Sequence, residues 1–277
     1  MGYRMRIAIV TGASSGLGAE YVRQLDIGSR LAMSGDASYQ LKGCFAQPLD
    51  EIWVIARREE RLKQLKTVVK TPVRVLALDL TRKEALNTLS AMLASLRPDV
   101  RVLVNAAGFG KIGSWKDISG QDAADMIDLN CRAAVAVTQM VLPYMTRGGR
   151  ILEICSSAAF QPLPYLNVYA ATKAFLYRYS RALGRELVDQ GISVTAVCPY
   201  WVKDTWFISN ARETDQVGYI RSFPFATREK FVVRQSLSDA AQRKPVSTPG
   251  AVSTVQRLGL LLPDSFKMDL WDLIRRL

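Results

Sequence analysis

The chain has 277 residues, of which 49% are hydrophobic and 22% are charged, a balance typical of a folded globular protein. It contains no histidine, which excludes the usual zinc sites and every Ser-His or Cys-His mechanism, so we predict no metal centre. Lysine and arginine outnumber aspartate and glutamate by 37 to 25, and the net charge of +12 favours an acidic ligand such as a phosphorylated cofactor.

The sequence also bears on partners and location. No zinc-finger or RNA-recognition motif accompanies the positive charge, so we expect no nucleic-acid partner. No apolar run reaches the ~18 residues of a membrane-spanning helix, and the first apolar stretch is too short for a signal peptide. We therefore expect a cytoplasmic protein whose widely spaced cysteines are reduced, namely Cys44, Cys131, Cys155 and Cys198.

Short apolar, β-branched runs alternate with helical patterns from the N-terminus to about residue 200. The runs predict strands at 6–10, 52–56, 73–78, 100–105, 150–155 and 193–198. The stretches between them predict helices that include 59–69, 83–96, 122–145 and 169–189. This alternation predicts an α/β protein with a Rossmann-type, doubly wound parallel sheet, whose ligands bind at the C-terminal ends of the strands.

The segment that follows the first predicted helix is longer than this alternation requires. A helix and a short loop would need fewer residues than the chain has between Gly18 and Ile52. The excess is rich in glycine, serine and alanine, which are common in loops. We predict a surface insertion at about 27–48.

The C-terminal part of the chain has a different pattern. After residue 203 the strand alternation fades, and 251–262 and 266–277 have helical patterns. We predict a single domain over 1–243 that holds the binding and catalytic residues. A helical extension over 244–277 would pack on that domain rather than on a membrane surface.

A glycine-rich segment with the sequence TGASSGLG, residues 11–18, follows the first predicted strand. Its glycines, Gly12, Gly16 and Gly18, would allow a tight turn and the close approach of backbone N–H groups to a pyrophosphate. The helix that follows would add its positive N-terminal dipole. Because the segment lies between a strand and a helix, it predicts a dinucleotide site rather than a plain glycine turn.

The end of the second predicted strand bears on the choice of dinucleotide. An acidic residue there would bind the adenine ribose hydroxyls and repel a 2′-phosphate, but this chain has Arg57 and Arg58. Their guanidinium groups could clamp a 2′-phosphate with charge-assisted hydrogen bonds. The pattern favours NADP(H), and NAD(H) stays open because both arginines could instead cap the next helix or face solvent.

Tyr169 and Lys173 lie four residues apart in the last long helix of the alternating region, so they share one helical face. An ammonium group beside a phenol favours the phenolate, so we expect Lys173 to lower the pKa of Tyr169. The pair occurs together with TGASSGLG, with VNAAG at residues 104–108 and with a serine 13 residues before the tyrosine. Over about residues 6–204, the chain closely resembles the short-chain dehydrogenases/reductases.

This resemblance implies an NAD(P)-dependent oxidoreductase that forms a homodimer or homotetramer. Tyr169 would be the general acid/base, Lys173 its helper, and Asn130 the residue that holds a water in the proton relay. The resemblance assigns the catalytic serine to Ser156, with Ser157 as the alternative. The predicted cofactor-binding residues are Gly12, Ser14, Ser15, Gly16, Leu17, Gly18, Arg57, Arg58, Asp79, Leu80, Asn105, Ala106, Ala107, Gly108, Tyr169, Lys173, Pro199 and Val202.

The segment after the sixth predicted strand departs from the family pattern. Pro199 and Val202 match the family's Pro-Gly-x-Val, but Tyr200 stands in place of the glycine. Asp204 stands where the family often has a threonine that contacts the cofactor amide, and Thr205 follows one place later. The departures from the family pattern therefore fall on residues that would contact the nicotinamide.

The aromatic residues of this segment point to a hydrophobic substrate. We predict substrate contacts from Ser156, Tyr169, Trp201, Trp206 and Phe207. The C-terminal helical patterns resemble the branch that contains hydroxysteroid dehydrogenases and long-chain 3-oxoacyl reductases. We predict hydride transfer to or from a steroid-like ketone or secondary alcohol, with a 3-oxoacyl substrate as the alternative. A non-catalytic protein that senses NADP is the alternative of another class.

Overall fold

The computed structural model describes residues 3–34 and 48–276. Within these residues, seven parallel strands form one central sheet. Their order across the sheet is β3-β2-β1-β4-β5-β6-β7, so the order reverses between β1 and β4 and leaves a crevice at their C-terminal ends. The strands are β1 Arg6–Thr11, β2 Glu51–Ala56, β3 Val73–Ala77, β4 Asp99–Asn105, β5 Met145–Ile154, β6 Ser193–Val197 and β7 Val246–Ser247.

Helices connect the strands and follow them. Those in the described residues are α1 Gly16–Ser34, α2 Glu59–Val68, α3 Lys83–Leu96, α4 Gly120–Ile127, α5 Ala134–Val141, α6 Asn167–Glu186, α7 Phe207–Ala211, α8 Glu229–Ala241, α9 Ala251–Leu258 and α10 Asp264–Ile274. None of them is both long enough and apolar enough to cross a membrane.

Helices cover both faces of the sheet. Successive side chains of each strand point to opposite faces, so the buried side chains of one strand pack in two layers. In β1, Ala8 and Val10 pack with an apolar cluster that includes residues of α1 and α8. Ile7 and Ile9 pack with a second cluster that includes residues of α3, α5 and α6. All four side chains are fully buried. This double burial explains why the strands read as continuous apolar runs.

The predicted doubly wound parallel sheet is confirmed, and each of the six predicted strands is present. The largest difference is in β5, which begins at Met145 because that residue pairs with Val100 of β4 ahead of an irregularity in the register. The seventh strand, β7, was not predicted. It has only two residues, which pair with Ala196 and Val197 of β6, and is too short to show a period.

The prediction of one continuous helix over 122–145 is wrong. After α4 the chain forms a π-helical turn at Asp128–Ala133, continues as α5, and adds a 3₁₀ turn at Leu142–Tyr144 before β5 begins. A π-helical turn inserts one extra residue into a helix and changes the direction of the side chains around it. Asn130 lies in this turn, so the interruption falls on a predicted site residue.

The insertion predicted at 27–48 begins later than expected. The helix α1 continues to Ser34, so residues 27–34 are helical. Residues 35–47, which include Cys44, lie outside the described residues, and for them the insertion stays a prediction.

The C-terminal helix α10 packs on the loop between β5 and α6. The indole N–H of Trp271 donates a hydrogen bond of 3.0 Å to the carbonyl oxygen of Pro164. The guanidinium carbon of Arg275 lies 4.2 Å from the ring centroid of Tyr165. The boundary predicted at residue 243 places β7 outside the main domain, although β7 belongs to the sheet. We therefore propose that the extension begins with α9.

Candidate active site

A cleft of about 670 Å³ opens at the C-terminal edge of the sheet and brings the sequence motifs together. The predicted site residues that line it are Gly12, Ser14, Ser15, Gly16, Leu17, Gly18, Arg57, Arg58, Asp79, Leu80, Ala106, Ala107, Gly108, Ser156, Ser157, Tyr169, Lys173, Pro199, Trp201, Val202, Trp206 and Phe207. Asn105 and Asn130 are not among the residues that line it, and their predicted roles stay predictions.

The glycine-rich turn requires glycine at its first and last positions. The φ angle of Gly12 is 66°, in the left-handed region. A Cβ on Gly12 would lie 2.7 Å from the backbone of Ala106, and a Cβ on Gly18 would overlap the carbonyl oxygen of Gly12. This packing places the first turn of α1 against the cleft, where its unpaired N–H groups can receive a phosphate. The turn therefore fits a dinucleotide pyrophosphate.

The loop after β4 is tied to the end of β1. The hydroxyl oxygen of Thr11 accepts hydrogen bonds of 3.1 Å from the backbone N–H groups of both Ala106 and Ala107. Asn105, one residue earlier, is buried beneath the cleft, where its side-chain amide donates to Thr138 at 2.8 Å and to Glu153 at 2.9 Å. Asn105 therefore connects the sheet to α5, and its predicted contact with the cofactor stays a prediction.

Arg58 lies directly over the glycine-rich turn. Its guanidinium group donates hydrogen bonds of 2.8 Å to the hydroxyl of Ser15 and 3.0 Å to that of Ser14. Its side chain does not cap α2. Partial burial, together with the charges of Arg61 and Arg57, lowers the pKa of Arg58. The guanidinium groups of Arg57 and Arg58 after β2 and of Arg61 on α2 repel one another, so an anion bound among them would relieve the repulsion.

Asp79 and Leu80 follow β3 on the same side of the cleft. Burial would raise the pKa of Asp79, but two hydrogen bonds from Thr81 and the charge of Arg57 outweigh it and lower that pKa. The Thr81 hydroxyl donates to the carboxylate at 2.7 Å. Leu80 is 4% exposed and packs with the core.

Tyr169 and Lys173 share one face of α6, as the spacing predicts. Both are buried, and the Lys173 Nζ lies 5.7 Å from the ring centroid of Tyr169. The ammonium group donates a hydrogen bond of 2.7 Å to the carbonyl oxygen of Ile154, the last residue of β5. The side chain of Ser156 lies near the Tyr169 hydroxyl and acts to lower its pKa, and the Ser156 hydroxyl accepts a hydrogen bond of 3.1 Å from the N–H of Ala158. No such contact with Tyr169 is found for Ser157, whose N–H donates to Pro199 at 2.9 Å.

The predicted lowering of the Tyr169 pKa is wrong. Burial raises this pKa well above its ordinary value, and the side chain of Ser156 opposes the rise only in part. Burial also lowers the pKa of Lys173. Removal of each group from water favours its neutral form, and here that effect exceeds the attraction between the ammonium and the phenolate. A phenol with a raised pKa is fully protonated at neutral pH, which is the state a proton donor needs.

Asn130 holds the loop after β4 against α6. Its side-chain oxygen accepts from the Phe109 N–H at 3.0 Å, and its amide group donates to the Phe109 carbonyl at 2.8 Å and to the Thr172 hydroxyl at 3.0 Å. A Cβ on Gly108 would lie 2.8 Å from Asn130 Oδ1 and 3.4 Å from Lys173 Nζ. The oxygen and both N–H groups of the Asn130 side chain thus have hydrogen-bond partners in the protein. The water-holding role predicted for Asn130 stays a prediction.

Aromatic side chains form the other end of the cleft. The Phe207 ring lies 5.2 Å from the ring of Tyr169 and 6.2 Å from that of Trp201. Trp271 of α10, which was not predicted, also lines this end. Trp206 is 58% exposed, and its ring lies 5.4 Å from the guanidinium carbon of Arg61 on α2. Trp206 therefore lies next to Arg61, whereas Trp201 and Phe207 lie on the side of Tyr169.

The segment after β6 lies against the glycine-rich turn. Thr205 lines the cleft, and its side chain would be 3.3 Å from a Cβ on Gly16. Asp204 has a φ angle of 65° and is not among the cleft-lining residues. The one-residue offset noted in the sequence thus brings Thr205, and not Asp204, next to the turn.

The model of the short chain dehydrogenase family matches residues 6–216. This chain belongs to the short chain dehydrogenase family. An uncharacterized oxidoreductase from Staphylococcus epidermidis is 28% identical over 196 residues, which make up 70% of this chain and 76% of that protein. A very-long-chain 3-oxoacyl-CoA reductase from Emericella nidulans is 34% identical over 235 residues, 80% of this chain and 61% of the reductase.

A solved short-chain dehydrogenase from Sphingobium yanoikuyae, in complex with NADPH, is similar over 96% of this chain and 94% of its own. The two are 25% identical, with a TM-score of 0.70. The predicted family and reaction class are confirmed, and this short chain dehydrogenase is an NAD(P)-dependent oxidoreductase. Its resemblance to the 3-oxoacyl-CoA reductases also agrees with the predicted branch.

Gly110 lies against the candidate site and was not predicted from the sequence motifs. A Cβ on Gly110 would lie 2.8 Å from Tyr169 Cδ2 and 3.1 Å from Phe207 Cζ, so the absence of a side chain leaves room for both rings. The signal that could have shown it is the second glycine in the sequence Gly108-Phe109-Gly110, two residues beyond the recognised motif.

We predict that Gly110→Ala lowers kcat/KM for ketone reduction by about 10- to 100-fold, because the added methyl group displaces the Tyr169 ring. Gly120→Ala is the matched control, since a Cβ on Gly120 meets nothing within 4 Å. Steady-state kinetics of both variants, with thermal unfolding as a check of folding, measure the effect. Equal kcat/KM values for the two variants would contradict the positioning role of Gly110.

Proposed function

We propose that this short chain dehydrogenase reduces a hydrophobic ketone with NADPH, with Tyr169 as the proton donor. The observation that carries the proposal is the placement of Ser156, Tyr169 and Lys173 in the cleft at the junction of two surfaces. On one side lies the glycine-rich turn with its arginines, and on the other lies the aromatic wall. A ligand with one charged and one apolar end fits such a cleft.

The side chains of Ser156 and Tyr169 supply hydrogen bonds and a proton. When bound, the cofactor supplies a hydride to the carbonyl carbon. The hydroxyls of Ser156 and Tyr169 hold the carbonyl oxygen, on which negative charge develops. Tyr169 then gives its proton to that oxygen, and the transfer is favourable because an alkoxide is a stronger base than a phenolate. The ammonium group of Lys173 stabilises the phenolate that remains.

We predict that Tyr169→Phe lowers kcat by about 10²- to 10⁴-fold, because the proton donor is lost while the ring still packs against Phe207. Tyr177→Phe is the control, since Tyr177 is a buried tyrosine on the same helix. Turnover and cofactor binding are measured for both. Near-normal turnover in Tyr169→Phe would defeat the proposed role, and cofactor binding without turnover in the unaltered protein would favour an NADP-sensing regulator instead.

The preference for NADP(H) is supported by the arginines at the end of β2. Arg58 is held on Ser14 and Ser15 of the turn, and the charges of Arg57 and Arg61 act on it. Charge-assisted bonds from such a cluster would bind a 2′-phosphate. The Sphingobium yanoikuyae dehydrogenase was solved with NADPH, which agrees with this preference. NAD(H), which lacks the phosphate, is the alternative.

We predict that the double variant Arg57→Ala/Arg58→Ala lowers kcat/KM by about 10- to 100-fold with NADPH and leaves the value with NADH nearly unchanged, because only NADPH carries the 2′-phosphate. Lys63→Ala removes an exposed cation from α2, the helix that follows the two arginines, and serves as the control. An equal loss with both cofactors would mean that the arginines stabilise the turn and do not select the phosphate.

Two substrate classes fit the aromatic end of the cleft. The 3-oxoacyl thioesters are supported by the name of the Emericella nidulans reductase, although this chain spans only 61% of that protein. Steroid-like ketones are supported by the aromatic side chains of Trp201, Phe207 and Trp271, which line the cleft. We favour the 3-oxoacyl substrate, because a relative and the apolar wall both support it.

We predict that the best of a series of 3-oxoacyl thioesters of increasing chain length has a kcat/KM at least about tenfold above that of the best steroid ketone. The physical reason is that an acyl chain can pack along the aromatic side chains of the cleft. Oxidation of NADPH and of NADH is followed separately by absorbance against both substrate series. Higher values for the steroid series would reverse the substrate assignment without affecting the proposed chemistry.

A homodimer or homotetramer remains a further proposal. Exposed apolar side chains on the helices give it some support, among them Ile127 on α4 at 51% and Phe175 on α6 at 49%. The cytoplasmic location is likewise an expectation from the sequence.

A further inference from the structure

Glu153 is a carboxyl group in the middle of the sheet. It lies in β5 between Leu152 and Ile154, pairs in register with Asn105 of β4, and is fully buried. The other residues near it in β5 are apolar and suit a strand covered on both faces. A carboxyl group there costs folding free energy, because it is removed from water.

Only half of this carboxyl group has hydrogen-bond partners. Its Oε1 accepts from the Asn105 amide at 2.9 Å and from the Thr138 hydroxyl at 2.8 Å. Its Oε2 has no partner in the described residues, and neither has Asn105 Oδ1. Buried polar atoms without partners are rare and need an explanation beyond packing.

The position of Lys173 explains why a carboxyl group lies here. Its ammonium group donates to the carbonyl oxygen of Ile154, the residue next to Glu153, and the two charges interact. Lys173 is buried, so its positive charge has little water around it. Burial lowers the pKa of Lys173, and nearby acidic groups act to raise it. Three of these groups are the thiols of Cys155, Cys131 and Cys198, and the fourth is the carboxyl group of Glu153.

We infer that Glu153 is a positioning residue for the proton chemistry of the site, whose carboxylate keeps the buried Lys173 in its ammonium form. The inference rests on the proposed function, in which that ammonium stabilises the Tyr169 phenolate. Burial raises the pKa of Glu153 to about 7, against the opposite effects of Asn105, Thr138 and Lys173. The carboxyl group therefore changes charge near neutral pH.

The sign of the expected pH effect follows from this pair. Above about pH 7 the Glu153 carboxylate raises the pKa of Lys173, so the lysine stays charged to higher pH. Below about pH 6 the carboxyl group is protonated and has no such effect. The titratable groups that face the pair from the neighbouring elements are Tyr169, Tyr179, Cys131, Cys155 and Cys198.

The first test is the pH profile of kcat/KM for Glu153→Gln, which keeps the shape and removes the charge. We expect the alkaline limb to move by about one pH unit to lower pH and the acidic halves of the two profiles to coincide. Asp239→Asn is the matched control, because Asp239 is a buried carboxyl that accepts from Ser247 at 2.7 Å, away from the cleft. An unshifted limb in Glu153→Gln would mean that Glu153 only connects the sheet.

The second test does not depend on turnover. In protein labelled with [¹³C]glutamate, the Glu153 carboxyl signal is assigned by its absence from Glu153→Gln or, where that variant does not fold, by its shift in Thr138→Val. Coupling between two sites is reciprocal, so Lys173→Met should raise the midpoint of the Glu153 titration by about one pH unit or more. An unchanged midpoint overturns the inference, whereas loss of the proposed function would show itself in Tyr169→Phe instead.

Discussion

The contact between the glycine-rich turn and the loop after β4 is the constraint on which the rest of the cleft depends. The backbone of Gly12 lies so close to that of Ala106 that a methyl group does not fit between them, and the hydroxyl oxygen of Thr11 binds the same loop at 3.1 Å. The contact joins β1 to β4 where the strand order reverses. The same loop carries Gly110 against the ring of Tyr169, so the turn and the tyrosine are held in one frame.

Burial, more than any single charge, sets the chemistry of this frame. It raises the pKa of Tyr169 and lowers that of Lys173, so both groups are shifted toward their neutral forms. The side chain of Ser156 and the charge of Glu153 act in the opposite direction. A site of this kind protonates its substrate readily and depends on nearby groups to stabilise the charge that remains.

The features that could be predicted from the sequence are those with local determinants. Six strands show as continuous apolar runs, and a spacing of four places Tyr169 and Lys173 on one helical face. The interruption at Asn130 could not be predicted, because it comes with hydrogen bonds to Phe109, 21 residues earlier in the chain. The Tyr169 pKa was mispredicted because spacing identifies a neighbour and says nothing about the loss of water.

The two ends of the cleft come from different parts of the chain. The nucleotide end is built mainly from the first four strands and the turns that follow them, whereas one wall of the substrate end comes from Trp271, whose indole binds Pro164 across 107 residues. A ribosome synthesises the chain from its N-terminus, so the nucleotide end leaves the exit tunnel long before that tryptophan does. The growing polypeptide thus has its phosphate-binding turn before it has a finished substrate pocket.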